Sequence, residues 1–287
     1  MSNDWIMNKL YQIFKKKIKN NDFVFIILFT IKSYLSYFLN KALDYKLEKI
    51  KFYKKLGYRL NLKDPKTFNE KIFWKKRYDR NPLLPITADK YRVRSYIRQV
   101  LGKEKAKEIL ITLLFVTDKP VEIPFANLPP SFIVKPNHGS GLYIIIKNGK
   151  YNKDNIIKIC QRWLRTPYGI DKMEWAYQNI KRKIVIERLL QETDGSIPKD
   201  FKFHIFHGKC KLIAVICDRM SNNSYGKFFD ETWNELMLSN TNNNKSIVIK
   251  KPKNYEMMLD YAEKLAEPFD YVRADFIILM GISILEN

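Results

Sequence analysis

Residues 132–141 read FIVKPNHGSG. An apolar run, Phe132-Ile133-Val134, ends on a single cation, Lys135. Pro136 and Asn137 stop the strand, and His138-Gly139-Ser140-Gly141 follow before a second apolar run, Leu142 to Ile146. Two readings fit. One is a β-hairpin closed by a glycine turn. The other is a loop that wraps phosphate: backbone N–H groups hold phosphate oxygens, glycine lets the backbone approach closely, and lysine adds a compact positive charge. The stretch lacks the GxxxxGK[ST] spacing of a Walker A loop. Read alone, it leaves both possibilities open.

The surrounding chain predicts an α+β fold. Residues 1–56 read as helix in at least two pieces, with Gly57 the first glycine. Residues 57–70 are extended with a turn at Asp64-Pro65. Thr67 and Glu70 are spaced as a capping box for a helix running to about Tyr78. A further helix is expected over residues 87–101 with Thr87 as its N-cap. Short strands follow at 110–117, 131–135, 142–147 and 183–190, and a helix at 153–165. Residues 200–207 and 210–218 alternate and are joined by His207-Gly208-Lys209, a hairpin signal. An amphipathic helix covers 254–266, and two last strands lie within 271–285. Regular βαβ alternation is absent, which excludes a Rossmann fold.

Composition limits the chemistry. The chain has 287 residues, 46% of them hydrophobic, enough for a sizeable core. Lysine and arginine exceed aspartate and glutamate by 52 to 30, a net charge of +22, which predicts an anionic partner: nucleic acid, a lipid surface or a phosphorylated substrate. Nucleic acid rests on charge alone. Cys160, Cys210 and Cys217 form no CxxC pair, and so sparse a set suits a reducing cytoplasm. His204 and His207, three apart on a strand, would face opposite ways and share no metal. From Phe23 to Leu39 the chain is strongly apolar, but Lys32 sits at its centre. Lys15-Lys16-Lys17-Ile18-Lys19 and the lysines from Lys46 to Lys55 flank it. This pattern is expected either to lie against an anionic membrane surface or to pack on the protein body.

Several constellations carry charge into these strands. Asp89-Lys90-Tyr91-Arg92-Val93-Arg94 is one. Glu187 is a lone carboxylate in an apolar β-run, costly unless it is paired or faces solvent on an edge. Asp200, Lys202 and His204 alternate onto one side of a strand, and Asp218-Arg219 end another. Asp275 and Glu286-Asn287 place oxygen ligands on adjacent antiparallel strands, a donor set suited to Mg²⁺.

In chain order the motifs are Pro65-x-Thr67-Phe68-Asn69-Glu70-Lys71, Ala88-Asp89-Lys90-Tyr91-x-Val93-Arg94, Phe132-Ile133-Val134-Lys135-x-Asn137-His138-Gly139-Ser140-Gly141, Trp175-x-Tyr177-x-Asn179-Ile180, Phe201-Lys202-Phe203 with Gly208-Lys209, and Val272-Arg273-x-Asp275. Together they resemble the TupA-like ATP-grasp family of bacterial surface-polysaccharide biosynthesis, named after a teichuronopeptide synthesis protein. The resemblance covers roughly residues 57–287. It implies an ATP-grasp fold behind a helical N-terminal region at 1–56, in two subdomains of about 57–183 and 184–287. It also implies ATP and Mg²⁺ as cofactors, and decides the opening stretch in favour of phosphate.

By that resemblance Lys90 and Lys135 look like the two lysines on the ATP phosphates. His138, Gly139, Ser140 and Gly141 look like the loop covering them, and Glu187 like the start of the hinge that meets adenine and ribose. Asp275, Glu286 and Asn287 look like Mg²⁺ ligands, and Lys202 and Arg219 like contacts to phosphate or a substrate carboxylate. The implied chemistry is carboxylate–amine ligation through an acylphosphate, on a glycan or amino-acid-like substrate, in the cytoplasm or at the inner face of its membrane. The chain departs from the family after Gly281. Ile282-Ser283-Ile284-Leu285-Glu286-Asn287 stands where members continue with Gly-Glu-(Leu/Ile)-Thr-Phe. A short, non-catalytic nucleotide- or glycan-binding remnant is therefore one alternative. A glycosyltransferase of the same pathway is another, though neither a DxD motif nor a nucleotide-sugar Rossmann unit is found.

Overall fold

The structure, a computed structural model, describes residues 22–192, 198–217, 225–238, 248–279 and 282–286. It is α+β, with two antiparallel sheets that each have their own core.

Two helices come first, α1 (Asp22–Ala42) and α2 (Lys46–Leu56), with the chain reversing through Asp44 and Tyr45 at positive φ. α1 packs along one stripe only: Ser33 and Asn40 are buried, and the Arg162 guanidinium lies 4.0 Å over the Phe25 ring. Its opposite stripe is apolar and open to solvent, with Phe23 70%, Ile31 51%, Leu35 56% and Phe38 60% exposed. α1 is long and apolar enough to cross a membrane by length and composition, yet only 11% of its most apolar window is buried.

The capping box forms as its spacing predicts. Thr67 accepts from the Glu70 amide at the start of α3 (Phe68–Tyr78), and the Glu70 carboxylate receives the Thr67 amide. Glu70 also receives the amides of Asn61 and Lys66. These donors, Thr67 foremost, hold its carboxyl below the ordinary range. One acid thus ties the extended 61–66 segment to the helix.

The helix expected over 87–101 is instead two pieces, α4 (Leu84–Thr87) and α5 (Val93–Leu101). Thr87 does not cap. Its hydroxyl donates back to the carbonyls of Leu83 and Leu84, while Asp89 accepts the amides of Tyr91 and Arg92. The acid, a stronger acceptor than the hydroxyl, starts the second helix. α6 (Lys103–Ile109) follows.

Strands β1 (Leu113–Thr117), β2 (Phe132–Pro136), β3 (Ile144–Ile146) and β4 (Ile184–Arg188) form the first sheet in the order β1-β4-β2-β3. α7 (Lys153–Arg165) closes its core through Ile156 and Cys160 against Phe132, Val134 and Ile186. A short helix, α8 (Trp175–Gln178), precedes β4. β4 pairs with both β1 and β2 in this first sheet.

The second sheet runs β10-β9-β5-β6-β7-β8, with β5 (Asp200–Phe206), β6 (Lys209–Cys217), β7 (Tyr225–Phe229), β8 (Glu235–Leu236), β9 (Tyr271–Leu279) and β10 (Ile282–Glu286). One face of β5 presents Phe201, Phe203 and Ile205 to a core completed by α5, α6 and α9 (Tyr255–Ala266). The other presents Asp200, Lys202 and His204. His207 and Gly208 both have positive φ in the β5–β6 turn, the backbone a two-residue hairpin requires.

Candidate functional site

The opening stretch forms the first of its two readings, the hairpin. β2 and β3 pair antiparallel, Phe132 opposite Ile146 and Val134 opposite Ile144, so the unit is a hairpin. Its connection is nevertheless a built loop. Asn137 is wholly buried and holds it: its side-chain amide donates to Asp89 at 2.9 Å and to the Lys181 carbonyl at 3.0 Å, and its Oδ1 accepts the Lys183 amide at 2.7 Å. The Asn137 carbonyl accepts the Lys90 amide at 3.2 Å. The Lys90 ammonium in turn donates to the Gly139 carbonyl.

His138 is 1% exposed, with Nε2 3.1 Å from the Trp163 carbonyl and Nδ1 3.2 Å from Asn137 Oδ1. Burial, reinforced by Arg182, holds its pKa down to about 4, so the ring is neutral at pH 7. Its two ring nitrogens face acceptors, the Trp163 carbonyl and Asn137 Oδ1, so the single N–H of the neutral ring donates to one of them and His138 holds the loop root. A Cβ at Gly139 would stand 3.2 Å from the Tyr168 ring, which would have to give by a few tenths of an ångström. Ser140 and Gly141 are exposed, and the Ser140 carbonyl accepts from the Tyr168 hydroxyl at 3.3 Å.

Lys135 and Glu187 form the base of this cluster. Glu187 is completely buried on β4, an interior strand, so it does not face solvent on an edge. Lys135 Nζ lies 3.2 Å from one carboxylate oxygen and Arg94 Nη1 3.4 Å from the other. A second Arg94 nitrogen donates to the Ile111 carbonyl at 2.6 Å. The Glu187 side chain is therefore a buried counterion, and a base at the expected hinge would meet the residues that follow it. Arg188 and Leu189 border an open cavity of about 720 Å³ there.

A second cluster lies on the polar face of the six-stranded sheet. Lys202 and Asp275 are cross-strand partners, and Lys202 Nζ is 3.1 Å from Asp275 Oδ2 while also donating to Asp200. Arg273, two residues before Asp275 and on the same face, donates to both of its carboxylate oxygens at 2.6 and 2.7 Å. Burial pushes the Asp275 carboxyl up, but Arg273 and Lys202 outweigh it and the pKa is lowered. The backbone of Glu286 lies directly opposite Asp275 on β10, which puts the two residues on one face. The Glu286 side chain, Asn287 and Arg219 lie outside the described residues.

Two tyrosines join the clusters. Tyr168, against Gly139, meets Tyr177 edge-on with ring centroids 5.0 Å apart. Burial, then Tyr168, push the Tyr177 phenol up to about 12, and Arg273 and Asp275 lie near enough to act on it. The tyrosine pair thus lies against the loop at Gly139 and within electrostatic reach of Arg273 and Asp275. Asn137, Arg94, Arg273 and Tyr168 join these clusters, and sequence reasoning gave none of their side chains a place in a site. The i, i+2 spacing of Arg273 and Asp275 on one strand was the available signal.

The residues fit a polyphosphate and a divalent cation. Lys90 already neutralises a carbonyl of the glycine loop, where a phosphate oxygen would compete for the same ammonium. The Asp275 carboxylate is of the donor type a divalent cation takes, and it is now paired with Arg273 and Lys202, which a cation would have to displace. Among the described residues no group of three or more His, Cys, Asp or Glu side chains forms a ready metal cage.

Comparison with known proteins gives one strong match. The profile of the TupA-like ATP-grasp family aligns with residues 70–281. No curated protein matches the chain. Among solved structures, a D-alanine–D-alanine ligase from Bacillus anthracis aligns at 19% identity over 70% of this chain and 56% of its own, with a TM-score of 0.41. The ATP-grasp ligase PsnB, complexed with a phosphomimetic variant of its minimal precursor, Mg and ADP, aligns at 11% identity over 76% of this chain and 56% of its own, with a TM-score of 0.38. The alignments span little more than half the length of these relatives.

Proposed function

This chain belongs to the TupA-like ATP-grasp family, and we propose that it is an ATP-dependent carboxylate–amine ligase of cell-surface polysaccharide biosynthesis. The carrying observation is the hydrogen bond from the Lys90 ammonium to the Gly139 carbonyl of the glycine loop, into which β2 leads directly after Lys135.

The roles follow from charge. Lys90 and Lys135 neutralise phosphate oxygens beneath the Gly139–Gly141 loop, Lys135 doing so from its buried pair with Glu187. Asp275, with Glu286 opposite, would hold Mg²⁺, which draws charge from the phosphates when bound. Lys202 and Arg273 hold the substrate carboxylate in line. A carboxylate oxygen attacks the γ-phosphorus and ADP leaves. An amine then attacks the acyl carbon, a proton is lost and phosphate departs. The protein supplies position and preorganised charge, the main sources of rate in such transfers.

Incubation with Mg²⁺-ATP and hydroxylamine across a panel of amino acids and sugar acids tests this. Formation of a hydroxamate with stoichiometric ADP is expected. ATP binding with no hydroxamate from any acid would favour a nucleotide-binding remnant.

We also infer that α1 lies on an anionic membrane surface. Its open stripe, Ile27-Ile31-Leu35-Phe38, is apolar, and Lys41, Lys46, Lys49 and Lys51 follow directly where α1 turns into α2. Such a face gains from burial in the headgroup boundary, and each nearby lysine adds about 1 kcal/mol against acidic lipid.

A further inference from the structure

A cavity of about 670 Å³ lies between α3 and the polar face of β5 and β9. Its size suits a small organic ligand. Phe68, Phe206 and Tyr271 form its aromatic wall, packed edge to face or tilted with centroids 4.9–6.0 Å apart. Phe68 remains 44% exposed although it is held in place by the Thr67–Glu70 capping box. The Pro65-to-Lys71 motif, which the nucleotide reading leaves unused, therefore folds the segment that lines this cavity.

Polar groups are few and directed. Burial, then Arg273, keep His204 neutral with its pKa down to about 4, and burial raises that of Tyr271. The Tyr271 hydroxyl and His204 Nδ1 are hydrogen-bonded at 2.9 Å. His204 lines the cavity beside this bond. Lys71 is exposed at the rim, while Lys75 is paired with Asp79. His207 also borders the cavity. Sequence alternation placed it on the face opposite His204, but it sits in the turn at φ 48, so the strand rule does not apply.

The cavity continues the proposed reaction row. His204 lies two residues along β5 from Lys202 and directly opposite Arg273. Two residues of strand span roughly 7 Å. A ligand seated on the aromatic wall would present a carboxylate to Lys202 and Arg273 while its other polar groups meet His204 and Lys71.

We propose that this cavity seats the second substrate, a carboxylate-bearing ring compound whose ring stacks on Phe68 and Tyr271. The proposal rests on the ligase reading for the carboxylate's role, but binding itself does not need ATP. Two sources share this chemistry, a sugar acid and an aromatic amino acid.

Saturation-transfer NMR on the full chain without nucleotide distinguishes them, using methyl glucuronide, N-acetylphenylalanine, methyl glucoside and acetate. One of the first two should bind, with its ring protons saturated most strongly. Methyl glucoside (ring without the anion) and acetate (anion without the ring) should bind at least about tenfold more weakly. Lys71→Met and Tyr271→Leu should each weaken the preferred ligand by a similar factor, and Lys71→Arg should restore most of it. Failure of both ring acids to bind, or binding unchanged in both variants, overturns the proposal. If Mg²⁺-ATP binds while these outcomes are negative, the cavity assignment fails and the nucleotide reading stands.

Discussion

Lys135 and Glu187 meet at 3.2 Å without being cross-strand partners: Lys135 lies opposite Val185, and Glu187 opposite Ile133. The contact is diagonal, between neighbouring strands of one sheet, and Glu187 is completely buried. Arg94 reaches the other carboxylate oxygen from α5, which packs with the second core. One acid thus couples the first sheet to the helix layer of the second.

Removing that acid should cost more than removing either partner. Glu187→Gln leaves Lys135 and Arg94 as buried cations without a counterion, a change that typically costs about 3–5 kcal/mol. Lys135→Met leaves Glu187 with Arg94 and should cost less. Urea unfolding of the two variants checks this order. A Glu187→Gln protein as stable as the parent would show the pair to be solvated.

Gly139→Ala probes the loop. The new Cβ would press on the Tyr168 ring at 3.2 Å, and that ring also holds the Ser140 carbonyl. ATP affinity should fall by about tenfold or more while the melting temperature moves little, since the loop is peripheral to both cores. Adding Tyr168→Ala to Gly139→Ala should recover part of the loss, because the clash is gone. No recovery would place the effect in backbone freedom instead.

Much of this was legible in the residues. Strand-then-loop order around Lys135, the Thr67–Glu70 box and the alternation of β5 are local patterns, and each forms where its spacing puts it. What was not legible depends on partners distant in sequence. Asn137 looked like a strand stop, but its role comes from Asp89, Lys181 and Lys183. Glu187 could not be placed on an edge or in the interior without knowing that β4 lies between β1 and β2. Thr87 lost its expected cap to Asp89, two residues away, because spacing alone does not rank competing acceptors.

His138 predicts an acid-side loss of stability. The unfolded chain takes up a proton on this ring near pH 6.5, the folded one only near 4. The unfolded state therefore binds more protons between those values, and folding stability falls as pH drops through that window and is complete above it. The expected contribution is about 3 kcal/mol by pH 4. His138→Gln, which keeps a donor for the Trp163 carbonyl, should flatten the difference between pH 6.5 and 4 in denaturant titrations. An unchanged pH profile would mean that the ring titrates normally when folded.

Membrane contact through α1 should show in vesicle flotation. The chain should rise with phosphatidylglycerol-containing vesicles, less so with neutral ones and less so at high salt. Leu35→Asp with Phe38→Asp, on the open stripe, should abolish flotation and leave the melting temperature unchanged. Flotation unaffected by that pair would exclude the α1 surface.

The central claim is that the glycine loop and its two lysines bind the phosphates of ATP. Calorimetric titration of Mg²⁺-ATP into the full chain, alongside Lys90→Met and Lys135→Met, tests it most directly. Saturable one-to-one binding is expected, weakened by at least about tenfold in each variant, since each loses a charge-assisted contact. No binding to the parent chain, or affinity equal in all three proteins, would contradict it.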